Sequence, residues 1–117
     1  MYTNHINSVC LSGVVNKVII RQDYDTVMLI LDNKQEMERN GSIEMVVSSI
    51  QVKIPQDLYD KEFKEIIRGD SLMISGCLVT DKVLSGELTV VRVQAQKLLL
   101  RTPKPIEGFG GSRFLTR

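Results

Sequence analysis

Apolar positions along the chain fall into five stretches at strand spacing, with one stretch at helical spacing between the third and the fourth. Val9 to Ile20 is dense in β-branched residues and is interrupted by Gly13, which predicts a long strand bent or bulged at the glycine. A polar turn over Gln22 to Asp25 leads into a second strand, Thr26 to Leu31, with Val27, Leu29 and Leu31 on one side and Met28 and Ile30 on the other. Asp32 to Ser42 is polar and charged, and Asn40-Gly41 at its end is a strong hairpin-turn signal. A third strand over Ile43 to Ile54 therefore pairs with the second. Its latter half sets Ile50, Val52 and Ile54 against Ser49, Gln51 and Lys53, as in a strand buried on one side.

Pro55 stops that strand. Asp57 is placed to cap a short amphipathic helix over Asp57 to Ile67, with Leu58, Phe63, Ile66 and Ile67 on its apolar side and Gly69 ending it. Ser71 to Val79 predicts a fourth strand and Asp81 to Gly86 a turn. Glu87 to Leu100 predicts a fifth strand, with Val91, Val93 and Ala95 facing one way and Arg92, Gln94 and Gln96 the other. The order β-β-β-α-β-β predicts an all-β domain, an all-antiparallel five-stranded barrel with one short helix between strands three and four, which is the OB-fold arrangement. A β-sandwich needs more strands than the pattern supplies. Residues 1–101 form this domain, and 102–117 are expected to be a flexible basic tail containing Gly and Pro.

Composition narrows the functional classes. Lys and Arg number 15 against 14 Asp and Glu, so any nucleic-acid binding depends on where the charge lies rather than on its total. Arg101, Lys104, Arg113 and Arg117, against Glu107, leave the tail basic and the body slightly acidic. Cys10 and Cys77 lie in apolar runs and are expected to be reduced core thiols, with a disulfide between neighbouring strands as the alternative. No apolar run is long enough to span a bilayer, and Met1 to Ser8 is polar, so a cytoplasmic protein is expected. His5, the one histidine, sits in that polar leader. It completes no nucleophile–base pair or metal site, and no phosphate-binding glycine loop follows a strand. Asp57 with Asp60, and Glu36 with Glu38, are helix-terminal or loop acids. The chain is expected to be no enzyme and to need no cofactor.

Asn7 to Val15 (NSVCLSGVV), Ile67 to Leu78 (IRGDSLMISGCL) and Val90 to Leu100 resemble the opening strand, the strand after the helix and the closing strand of bacterial single-stranded DNA-binding proteins and the related PriB-type primosomal proteins. Gly13 and Gly76 fit that likeness as points where long strands coil to close a small barrel. The resemblance implies binding of single-stranded DNA, held extended during replication, recombination or mobile-element transfer. It also implies a homodimer, or a tetramer built of dimers, paired through strand one with Val9, Leu11 and Val14 in support. A primosomal adaptor or protein-binding OB scaffold with weak DNA affinity is the alternative, with replication proteins as partners. DNA and RNA are both open. The chain departs from the family at the aromatic positions on which bases stack: these hold Ser48, Ile54, Val83 and either Asn33 or Lys34, and there is no Trp. Tyr24 is the aromatic best placed to replace them, with Tyr2 second. The chain's end is basic where the family carries an acidic tip.

In an OB fold a single strand crosses strands two and three between hairpin loops. The candidates there are Arg21 and Tyr24 in the first loop, Lys34 and Arg39 in the second hairpin, Ser49, Gln51 and Lys53 on strand three, and Lys82 in the last hairpin, with Lys17 and Arg92 flanking. The cations pair with phosphates, Tyr24 stacks a base, and Ser49 and Gln51 hydrogen-bond base edges or sugar. The competing reading makes these cations solubilising charges, since Asp23, Asp25, Glu36 and Glu38 are interleaved with them.

Overall fold

A computed structural model describes residues 5–21 and 25–105. It contains β1 (Val9–Ile20), β2 (Thr26–Arg39), β3 (Ser42–Pro55), a helical turn α1 (Gln56–Leu58) that widens into a π-turn over Tyr59–Phe63, β4 (Ser71–Val83) and β5 (Leu88–Thr102). The strands close into a barrel in the order β1-β2-β3-β5-β4. The predicted five strands and intervening helix are present. The barrel is not all-antiparallel, however, because β3 and β5 pair in parallel at Val52–Val93 and Lys53–Gln94. The β4–β5 hairpin returns the chain in the direction of β3, so the closing joint has to be parallel.

Strand alternation supplies the interior. Val27, Leu29 and Leu31 from β2, Val52 and Ile54 from β3, Leu72 and Ile74 from β4, and Val93 and Ala95 from β5 are buried together. Phe63 and Ile66 seal one end, and Phe63 is among the largest fully buried side chains. Burying each such side chain contributes about 1.5–3 kcal/mol. The same alternation turns Cys10 outward opposite Ser75, so it is exposed rather than a core thiol, and Cys77 is half-buried.

β1 changes partner midway. Val9 to Val14 pair with β4, and Val14 to Ile20 pair with β2. At Gly13, just before the exchange, a Cβ would run into the carbonyl of Asp32; at Gly76 it would meet the carbonyl of Gln94. Both glycines therefore permit close strand crossing, but the bulge expected at Gly13 lies between Val15 and Lys17.

Asp32 to Ser42 is not a loop. The β2–β3 ladder continues from Thr26–Pro55 to Arg39–Ser42, with a two-residue turn at Asn40 (φ 51°) and Gly41 (φ 82°). Those left-handed values match the strand twist and suit Asn-Gly. The helix is shorter than expected. Its N-cap is Pro55, without a side-chain cap, so Asp57 lies inside the first turn rather than capping it. Ile67 faces solvent.

Asp70, between the helical segment and β4, is fully buried. Its carboxylate accepts from the Lys104 amide (2.8 Å), Arg101 Nε (3.0 Å) and the Ile67 amide (3.1 Å). Burial opposes the charge, yet these donors hold the carboxyl below its usual range. The node joins the end of β5 to the helix connection, and through the Asp70 carbonyl to the Val15 amide of β1.

Candidate nucleic-acid interface

The outer face of the barrel across β1, β2 and β3 follows directly from register. Ile19 sits beside Met28 and Met28 beside Lys53; Lys17 sits beside Ile30 and Ile30 beside Gln51. These rows give an apolar floor of Ile19, Met28 and Ile30 edged by the polar side chains of β3. The β4–β5 hairpin stands over it. Its turn, over residues 84–87, includes left-handed Leu84, Ser85 and Gly86. Floor and hairpin enclose a groove of about 830 Å³, lined also by Arg21, Thr26, Asp81, Lys82, Val83 and Arg92.

The polar wall is a connected network. Asp81 takes Lys53 Nζ on Oδ1 at 3.0 Å and Arg92 Nη1 on Oδ2 at 2.8 Å. Arg92 Nε donates to Gln51 Oε1 at 2.6 Å. The Arg92 hydrogen bond first, and then that of Lys53, keep the Asp81 carboxyl below its ordinary range. Three strands thus supply one cluster: Gln51 and Lys53 from β3, Asp81 from β4 and Arg92 from β5.

Of the residues expected at the site, Arg21, Gln51, Lys53, Lys82 and Arg92 meet in this groove. Lys82 does so from β4, opposite Thr89, and not from a loop. Lys17 lines a neighbouring hollow of about 570 Å³ with Tyr59, Ile20, Ile67 and Arg68. Ser49 lies one row beyond the groove and donates to Asp32 at 2.8 Å, as does Asn16. Lys34 and Arg39 are on the β2–β3 ribbon, outside the groove; alternation places Lys34 on the groove side and Arg39 on the opposite side. Tyr24, Tyr2 and the tail from residue 106 lie outside the described residues. Ile54, aligned with a stacking position of the resembled family, is core, whereas Val83 does line the groove.

Sequence reasoning missed the floor and Asp81. The signal for the floor was present: Thr26 to Leu31 is apolar on both faces, more than a barrel interior needs. Asp81 falls in the stretch expected as a turn, whereas β4 continues four residues past Val79, to Val83.

No protein-family model and no curated protein sequence matches the chain. Solved structures do. A Plasmodium falciparum SSB in complex with ssDNA superposes with a TM-score of 0.65 at 17% identity, over 82% of this chain and 91% of that one. A small single-stranded DNA-binding protein from Mycoplasma pneumoniae gives 0.65 at 11% identity, over 87% and 100%. PriB from Ralstonia solanacearum gives 0.60 at 14%, over 81% and 97%. At these identities the likeness establishes the fold, an OB barrel spanning most of the chain.

Proposed function

We propose that this chain binds single-stranded DNA without catalysis, holding the strand extended across the outer face of β2 and β3. The observation that carries the reading is the groove itself. An apolar floor of Ile19, Met28 and Ile30 lies beside Arg21, Lys53, Lys82 and Arg92, under a hairpin that limits its width. Apolar floors accept base faces irrespective of sequence, and cations along the rim follow a phosphate backbone. Two of the solved neighbours are described as single-stranded DNA-binding proteins or complexes, which supports the same assignment. Without an aromatic among the described groove residues, Met28 and Ile30 take the place of stacking rings, so each base contributes less than the roughly 1–3 kcal/mol that stacking on an aromatic gives.

The reading includes a cytoplasmic homo-oligomer working beside replication proteins. Val14, exposed on the outside of β1, supports pairing through that strand; Val9 and Leu11 instead turn partly inward onto the core. The test is fluorescence anisotropy of a labelled oligo-dT against a duplex of equal length at low and moderate salt. Preference for the single strand that weakens as salt rises is the expected result. No binding at low salt would leave a protein-binding scaffold.

A further inference from the structure

On the groove wall two cations share one carboxylate. Asp81 engages Lys53 through one oxygen and Arg92 through the other, so both of its oxygens are taken by groove cations. All three side chains keep about a fifth of their surface open: 21% for Lys53, 18% for Arg92 and 22% for Asp81. A ligand in the groove can therefore reach them. Asp81 and Arg92 come from the two arms of the overhanging β4–β5 hairpin and Lys53 from β3, so the carboxylate sits between a cation of the hairpin and one of the adjoining strand, where a strand's phosphate would approach. A carboxylate and a phosphodiester present the same kind of oxygen to Lys and Arg. With Asp81 in place the trio carries one net positive charge; without it the same positions carry two.

We propose that Asp81 is an internal competitor for phosphate, occupying the donor positions of Lys53 and Arg92 that a bound strand's backbone would otherwise take. The inference rests on the single-strand-binding reading. Asp81 lowers the affinity of the groove for polyanions in general and leaves contact between bases and the Met28–Ile30 floor as a larger share of what is bound. The hydrogen bond to Gln51 holds Arg92 in position from a second side, so the guanidinium stays placed when phosphate displaces the carboxylate.

The test compares wild type, Asp81→Asn, Asp81→Ser and Asp81→Glu by anisotropy with labelled oligo-dT at 50 and 200 mM salt, with thermal melts alongside. Removing the charge by Asn or Ser is expected to tighten binding several-fold at low salt. One further counterion released steepens the salt slope by about 0.7, so the gain shrinks about 2.6-fold between the two salt concentrations. Asp81→Glu keeps the charge and follows wild type. Wild-type affinity and slope in well-folded Asn and Ser variants would overturn the proposal while leaving the binding reading intact. Loss of cooperative melting in both would also overturn it, by making the carboxylate a structural brace. Binding by Asp81→Asn but not by wild type would support the competitor role and sink single-strand binding as the native function. Silence from every variant at low salt would sink both.

Discussion

Asp70 and Asp81 are aspartates joined to arginine at nearly equal distances, 3.0 Å to Arg101 and 2.8 Å to Arg92, yet they do different things. Asp70 is fully buried and takes two backbone amides as well as the guanidinium, so its oxygens are satisfied by groups that cannot leave without unfolding the connection to β4. Asp81 takes side-chain donors, from strands whose backbone pairing does not depend on it, and remains partly open to solvent. The first is a lock; the second can exchange partners. Burial and the kind of donor, rather than the ion pair itself, separate the two.

The sharpest way to break the comparison is to remove each carboxylate and measure stability. Asp70→Ala leaves Arg101 without its carboxylate, bonded still to the Glu65 carbonyl, and two amides unsatisfied, and is expected to cost about 3–5 kcal/mol in urea unfolding. Asp81→Ala, at a half-open site, is expected to cost no more than about 1 kcal/mol. Equal losses would abolish the distinction.

Acid unfolding sharpens it further. The folded-state carboxyl of Asp70 lies below its ordinary value, so its contribution is complete above the unfolded value of about 3.9 and is lost as pH falls through the lower, folded value. Stability should therefore decline below about pH 4, and Asp70→Asn should flatten that decline more than Asp32→Asn does, since Asp32 sits on the outer face. Equilibrium unfolding at a series of acid pH values checks the ranking.

On the groove side, Lys53→Glu turns the net charge of the Lys53–Arg92–Asp81 trio from positive to negative. Oligo-dT affinity at low salt is expected to fall about tenfold, with a salt slope shallower by about 1.4. Melting should move little, because Arg92 still holds Asp81.

These contrasts also explain what was legible in the sequence. Strand number, the helix position and the inward sets Val27, Leu29, Leu31 and Val52, Ile54 follow from local alternation, which is a property of neighbouring residues. Lys53, Gln51 and Arg92 were placed at the site because their own strands turn them outward. Asp81 as their partner was not legible: it meets Arg92 across the β4–β5 hairpin only because β4 runs on to Val83, and only the parallel β3–β5 joint brings Arg92 beside Gln51. The Asp70 node was hidden for the same reason, since its donors come from residues 67, 101 and 104. The length of the β2–β3 ribbon is not legible in the sequence, because polar residues on both of its faces look like a loop. The ladder there is held by backbone pairing and the Asn40-Gly41 turn, with Met37, Ile43 and Met45 left exposed.

That ribbon supplies the smallest effect and the finest test. Lys34 and Arg39 were equivalent as loop cations, but as strand residues five positions apart they face opposite ways. Lys34 stands opposite Val47 on the side that continues the groove floor past Ile30 and Asp32, whereas Arg39 stands opposite Ser42 on the reverse. A strand leaving the groove along the ribbon meets Lys34 alone. Lys34→Ala should weaken oligo-dT binding about two- to threefold at low salt and reduce the salt slope by about 0.7, the loss of one phosphate contact, while Arg39→Ala leaves both unchanged. If the two substitutions behave alike, the bound strand does not follow the ribbon's register, and the path ends at the β4–β5 hairpin.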